Sequence, residues 1–300
     1  MGGCSPILTE ASEARTSEVS VSPIGLALSG GGVRGLAHIG VLKVLEEARV
    51  PIHCIAGTSM GGLLAAAWAL GRSAQELEQE ALRLSHLRNL IPLADPGLSQ
   101  GGLFAGQKIA DYLADLLGDA SFEQTRIPLA VIAADLNRAE TVVLREGLVR
   151  DAVRATIALP GLLAPVKRDE QVLVDGGLLL NLPAAVTRQM GAEVVIAVDI
   201  ATDPESLEAF LNGLRRRFLP DALVEVVAVL WRSLLVMMHQ VERRSLQEAA
   251  PDLIVRPPIP PGVTTLSGLS LSAQVIAAGE QAAREMLPAL ATLTRSAFSI

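Results

Sequence analysis

Two cysteines in 300 residues, Cys4 near the start and Cys54 in an apolar stretch, exclude a disulfide framework and leave no thiol spacing that could hold a metal. Thiols this sparse suit a reducing compartment. Positive charge is equally short. With 25 Lys and Arg against 32 Asp and Glu, the net charge is -7, which argues against a phosphate-backbone partner, because such proteins concentrate cations to displace counterions. Nucleic acid is not an expected partner. No uninterrupted apolar run approaches the ~20 residues of a spanning helix. The opening MGGCSPILTEASEARTSEVS lacks the basic start and continuous apolar core of a secretory signal. Pro6 also stands where a myristoylation signal needs Ser or Thr. A soluble, cytoplasmic protein is expected. There is no internal repeat.

What is present is apolar: 50% of the residues are hydrophobic and 19% charged, enough for one large domain with a sizeable core. Residues 1–20, rich in Ser, Glu and Thr without apolar periodicity, read as a loose leader, and residues 21–300 as the folded domain. Short apolar runs at Ile24–Leu28 and His53–Ala56 predict strands, and the periodic segments Arg34–Ala48 and Met60–Leu70 predict helices. This βαβα order implies a parallel sheet covered on both faces, a three-layer α/β/α architecture. Further helices are expected at Ala74–His86, at Gln107–Leu117, from Val149 to an end at Pro160 and Gly161, near Pro183, at Asp221–Ala249 and from Ser272 onward. Pro128–Asp135 and Thr141–Arg145 read as a hairpin, and Gln171–Val174, Glu193–Asp199 and PDLIVRP as later strands. The Pro- and Gly-rich stretch Leu93–Phe104 reads as a loop bordering a substrate entrance.

Two glycine-rich segments carry the chemistry. SGGGVRG (Ser29–Gly35) follows the first strand, and GTSMG (Gly57–Gly61) follows the second. The latter places Ser59 in the G-x-S-x-G pattern, a sharp strand-to-helix turn that holds a nucleophilic hydroxyl clear of the backbone. Three glycines between a strand and a helix, Gly30, Gly31 and Gly32, offer unobstructed amides for a developing oxyanion. Together they suggest acyl transfer. A serine needs a base. The order nucleophile, acid, histidine would put an imidazole in a late loop, yet only His86 and His239 follow Ser59, both in helical patterns, while His38 and His53 read as structural. A carboxylate can serve instead if it is partly desolvated beside the hydroxyl. Asp175, at the carboxyl end of a strand where α/β sheets gather ligands, is the leading candidate; from spacing alone a plain Asp-Gly turn explains it equally well. Gly30, Gly32 and Gly35 also fit G-x-G-x-x-G, but the acidic ribose ligand expected at the end of the second strand is absent, and Gly57-Thr58-Ser59 stands there.

The ordered set SGGGVRG, GTSMG, ATIALPGLLAPV and DGGLLLNLP resembles the patatin-like phospholipase family, in particular its compact bacterial members. AHIGVLKVLEE, IPLAVIAADL, PDLIVRP and the AAGEQAA stretch extend the likeness from about Val21 to the C-terminal helix. The resemblance implies a mostly parallel central sheet and a dyad of Ser59 and Asp175 without histidine. It implies an oxyanion hole at Gly30, Gly31 and Gly32, followed by Arg34, for which loop anchoring and contact with a substrate phosphate are equal readings. It implies a hydrolase of phospholipid, lysophospholipid or another fatty acyl ester that needs neither metal nor cofactor. The alternatives are a soluble short-chain carboxylesterase and a non-catalytic lipid-binding or regulatory protein on the same fold.

The segment Asp221–Gln240 has a broad apolar face with a narrow polar stripe at Asp221, Glu225, Arg232 and His239. A core or subunit-interface helix is the favoured reading, which admits a homo-oligomer. The other is transient docking on a membrane surface or an acyl-pocket lining, for which Trp231, Met237 and Met238 are suited, and which would place the protein at the inner face of the membrane. Arg215–Arg217 and Arg243–Arg244 are too short for a strong polybasic anchor.

Overall fold

The computed structural model describes residues 22–86, 95, 101–200 and 221–296. The leader 1–20, the basic cluster 215–217 and most of the Leu93–Phe104 loop lie outside the described residues. In chain order the elements are β1 (Ile24–Leu28), α1 (Ala37–Glu47), β2 (Ile52–Thr58), α2 (Met60–Ala69), α3 (Ala74–Leu84), β3 (Gly102–Phe104), α4 (Gln107–Leu117), β4 (Leu129–Asp135), β5 (Glu140–Leu144) and α5 (Val149–Thr156). They continue with β6 (Gly161–Leu163), β7 (Val166–Arg168), β8 (Gln171–Asp175), α6 (Ala184–Gln189), β9 (Val194–Val198), α7 (Asp221–Ala249), β10 (Leu253–Val255) and α8 (Ser272–Ser296).

The main sheet has the order β10-β9-β1-β2-β4-β8-β7, with β5 also on β4. The run from β10 to β4 is parallel, and β5, β8 and β7 join antiparallel. Successive strand residues point to opposite faces, and here the alternation sorts most side chains by size, with Ile132 and Val195 as the large residues on the small-residue face. Leu26, Leu28, Ile55, Val131 and Ile196 face the layer built by α1, α2, α5 and α8. Ala27, Cys54, Ala56, Ala130 and Ala197 face α6 and the end of α7. The large side chains build the thicker core, each contributing about 1.5–3 kcal/mol of burial. The small ones let the short α6 lie close on the other face, where a Cβ on Gly25 would fall on Thr187. Helices on both faces give the three layers.

One feature of β4 positions the site. Over Val131–Asp135 one of its edges is taken by β5, so β2 and β8 share the other. The parallel strand β2 pairs up to Ile132, and β8, running the opposite way, pairs from Ala133 onward. Their carboxyl ends therefore meet head to head. Asp175 does end a strand, but that strand descends into the sheet instead of rising with the parallel set. The three-residue strands β3, β6 and β7 carry too few residues for a periodic signal. Helix α5 stops at Thr156, well before Pro160, because a proline has no N–H to donate to the carbonyl four residues back, and its ring clashes with that carbonyl.

Helices α1 and α8 cross at their glycines: a Cβ on Gly40 would fall on the Ile276 carbonyl, and one on Gly279 on the Ala37 carbonyl. Gly279→Ala is accordingly expected to lower stability by roughly 1–3 kcal/mol, despite the better helix propensity of alanine. Urea unfolding checks this, and an unchanged midpoint would contradict so close a crossing.

Candidate active site

A strand that ends and a helix that begins with one residue between them force that residue into an uncommon backbone conformation. Ser59, between β2 and α2, has φ 53° and ψ -124°, which in a non-glycine residue stores on the order of 1–3 kcal/mol of strain. Its neighbours are glycines for steric reasons. A Cβ on Gly57 would fall on the Gly61 carbonyl, and one on Gly61 would lie 2.5 Å from the carbonyl oxygens of Leu28 and Ser29. The Ser59 amide donates to Thr156 Oγ1 at 2.8 Å, and the Thr156 hydroxyl donates to the Ile132 carbonyl. The last residue of α5 thereby pins the turn to β4.

Across the meeting point of the two strand ends, Ser59 Oγ donates to Asp175 Oδ2 at 2.6 Å. The other carboxylate oxygen accepts the Gly177 amide at 2.8 Å, and the Asp175 amide donates to the Ala158 carbonyl at 2.9 Å. Asp175 is 3% exposed. Burial pushes its carboxyl up to about 6, and the hydrogen bonds from Ser59 and Gly177, which favour the charged form, oppose that rise.

The segment after Asp175 ties three parts together. Leu180 accepts a hydrogen bond from Thr58 Oγ1 at 3.0 Å. Asn181 accepts the Gly30 amide on its side-chain oxygen at 3.1 Å and on its carbonyl at 3.3 Å. Among the described residues the amides of Gly31 and Gly32 meet no acceptor, and both residues line the cavity into which Ser59 opens. Gly32 has φ +55°, and a Cβ there would fall on the Thr265 carbonyl. The Arg34 amide donates to Gly31 at 3.2 Å, and its guanidinium reaches the Val263 carbonyl at 3.4 Å. Arg34 does not line the cavity; it joins the glycine loop to the segment before α8.

The cavity has a volume of about 210 Å³, and its wall is mainly apolar, with Leu63, Leu162, Leu235, Met238 and Leu266 around Ser59 and Asp175. Leu162 belongs to β6, which pairs with β3, so the described end of the Leu93–Phe104 loop lies beside this wall. None of the four histidines lines the cavity. His38 is fully buried, 2.7 Å from the Ser29 carbonyl, and burial lowers its pKa to about 4 against that bond. His53 Nδ1 accepts the Ile24 amide at 2.9 Å. His86 lies just past α3 rather than inside it, and His239 sits on α7 with its Nδ1 4.0 Å from Glu242. Glu242 itself is buried and donated to by Asn181 Nδ2 at 2.6 Å. Burial pushes its carboxyl up to about 7, with Asp199 adding to the rise and the Asn181 bond and Arg256 opposing it.

Sequence reasoning did not find Thr156, Asn181 or Glu242. Asn181 stands inside a motif that was already singled out, whereas Thr156 and Glu242 are distant in sequence from what they hold. The described residues contain no cluster that could hold a metal ion.

Residues 26–188 match the family model described as patatin-like phospholipase. An uncharacterized NTE family protein of Mycobacterium tuberculosis is 40% identical over 182 residues, 60% of this chain and 50% of that protein. The patatin-like phospholipase domain-containing protein 6 of Homo sapiens is 35% identical over 187 residues, 61% of this chain and 14% of that protein. The match thus spans about half the length of the mycobacterial relative and a small part of the human one. Among solved structures, VipD from Legionella pneumophila superposes with a TM-score of 0.47 at 13% identity, covering 90% of this chain and 67% of that one.

Proposed function

The chain belongs to the patatin-like phospholipase family, and on that premise we propose that it is a serine lipid acyl hydrolase of the phospholipase A or lysophospholipase type, with Ser59 as nucleophile and Asp175 as general base. One observation supports this above the others: the 2.6 Å hydrogen bond between the two side chains, made at a strained turn inside an apolar cavity. Ser59 Oγ attacks the ester carbonyl carbon as its proton passes to Asp175 Oδ2. The amides of Gly31 and Gly32 receive the negative charge on the carbonyl oxygen, joined by the Met60 amide, which follows the nucleophile at the start of α2. Gly30, whose amide is engaged by Asn181, and Arg34 hold the loop. The tetrahedral species collapses, its C–O bond breaks, and the leaving alkoxide takes the proton from Asp175. Water, giving its proton to the same carboxylate, then attacks the acyl-enzyme; the acyl–Oγ bond breaks, Ser59 Oγ takes the proton back from Asp175, and the fatty acid is released.

Hydrolysis requires the ionised carboxylate, so kcat/KM is expected to rise with pH through about 6 and to level off above it. A pH–rate profile on a soluble ester checks this. A rate independent of pH between 5 and 8 would remove Asp175 as the base.

The substrate reaches the site from a lipid surface by way of α7. Leu235 and Met238 of this helix wall the cavity, while Val226, Val229, Leu230, Val236 and Met237 are exposed. Such an apolar face is suited to the acyl boundary of a bilayer. Residues 21–300 act as one acyl hydrolase domain behind the leader 1–20. A cavity of about 210 Å³ favours a second reading, a carboxylesterase for short acyl groups, since the space matches a short chain better than a long one. Fatty acid release from phospholipid and lysophospholipid vesicles, beside p-nitrophenyl esters of increasing length, decides between them. Release from vesicles supports the lipid hydrolase; turnover confined to short esters leaves the carboxylesterase. No turnover of any ester overturns both.

A further inference from the structure

Amides that stabilise an oxyanion must be held in place before the charge develops, and the glycine loop has a visible hold. The Gly30 amide is bound by Asn181 Oδ1 at 3.1 Å. The Nδ2 of that same side chain donates to Glu242 Oε1 at 2.6 Å, across to α7. Asn181 and Glu242 are 4% and 5% exposed. Glu242 does not line the cavity, and burying a carboxyl group at such depth is costly unless hydrogen bonds offset it; the bond from Asn181 does so.

What it does is choose the orientation of an amide. A side-chain amide can turn either its oxygen or its nitrogen toward a neighbour. With an acceptor fixed on the α7 side, the nitrogen faces Glu242 and the oxygen is left for Gly30. Turned over, the amide would set its N–H groups against the Gly30 N–H, and the loop would keep only the longer bond from Gly30 to the Asn181 carbonyl, at 3.3 Å. We infer that Asn181 and Glu242 are positioning residues: Glu242 sets the Asn181 amide, and Asn181 holds Gly30 so that the Gly31 and Gly32 amides stay turned to the cavity. This rests on the role proposed above for the glycine loop. It also makes α7 part of the catalytic apparatus, because the helix that walls the cavity reaches the loop through two hydrogen bonds.

Steady-state kinetics on p-nitrophenyl butyrate, with thermal unfolding of each variant, tests the relay. Asn181→Leu is expected to lower kcat about 10²-fold and Glu242→Leu about tenfold, with KM changed by less than about threefold, as for a misplaced but intact site. Glu242→Gln keeps an acceptor for Asn181 and is expected to recover most of what Glu242→Leu loses. In the double variant Asn181→Leu/Glu242→Leu the two losses should not multiply, because one contact chain is cut twice. Stability is read beside the kinetics: Glu242→Leu leaves the buried Asn181 N–H without its acceptor and is expected to lower the unfolding temperature, so kcat is compared at a temperature where every variant is fully folded. The relay is overturned if folded Asn181→Leu or Glu242→Leu keeps the wild-type kcat, if the losses multiply, or if Glu242→Gln is as impaired as Glu242→Leu. Should Asn181→Leu fail to fold, the two Glu242 variants decide. Ser59→Ala run alongside separates the two levels. If it retains activity, the proposed nucleophile has failed; if it is inactive and the Asn181 and Glu242 variants are normal, only the relay has.

Discussion

Ser59→Ala is expected to reduce ester hydrolysis by at least ~10⁴-fold, the scale of loss when a nucleophile that works as a unit with its base is removed. The fold should persist. The turn that holds Ser59 is maintained by contacts the substitution leaves in place: the Ser59 amide on Thr156 and the close approach of Gly57 and Gly61 to neighbouring backbone. Alanine also meets the same positive φ. The loss must therefore appear in kcat with circular dichroism and unfolding temperature near those of wild type. A folded variant that kept even a tenth of the wild-type rate would point to a different nucleophile, since the background left by binding and oxyanion stabilisation alone is orders of magnitude smaller.

Asp175→Asn is expected to remove activity to a similar degree and, unlike most core substitutions, to stabilise the protein above neutral pH. The carboxyl titrates at about 6 in the fold because burial disfavours its charge, whereas an exposed aspartate titrates near 3.9. Between those values the folded state binds more protons than the unfolded state, so stability falls as pH rises through this window. The contribution is fully present below about pH 4 and lost above about pH 6, and the two-unit difference corresponds to roughly 3 kcal/mol. Asparagine carries no such term, and its side-chain oxygen can still accept the Gly177 amide. The stability of Asp175→Asn relative to wild type should therefore grow between pH 4 and 6 and then stay level. Urea unfolding of both proteins across that range measures it. A difference independent of pH would mean that the carboxyl is not buried as described.

How much of this was legible in the sequence followed the reach of each signal. Ser59 and the glycines occupy contiguous motifs, because a tight turn needs its small residues next to one another. Asp175 stands out as a candidate base from its place at a strand end, and the family resemblance favours that role over a plain Asp-Gly turn. Its actual route to Ser59 was not legible. That route depends on β5 filling one edge of β4, so that β2 and β8 must share the other, and strand direction leaves no mark in a five-residue apolar run. Thr156 and Glu242 act across the fold on residues far away in the chain, and a single polar residue in a helix looks the same whether it faces water or a buried amide. For Asn181 the signal was present: it stands in DGGLLLNLP, where the same short segment supplies Asp175, holds Thr58 through Leu180 and holds Gly30. The long helix α7 was predicted with its boundaries, and its two apolar faces follow from the width of the hydrophobic stripe, one turned to the cavity and one exposed.

The central claim, that Ser59 and Asp175 form a working nucleophile and base, is tested most directly by treating the protein with an alkyl fluorophosphonate and locating the adduct by peptide mass spectrometry as a function of pH. A single phosphonylated residue, Ser59, with a labelling rate that rises through about pH 6 and is lost in Asp175→Asn, is the predicted result. An adduct on another residue, or labelling of Ser59 that is unaffected by Asp175→Asn, would contradict it.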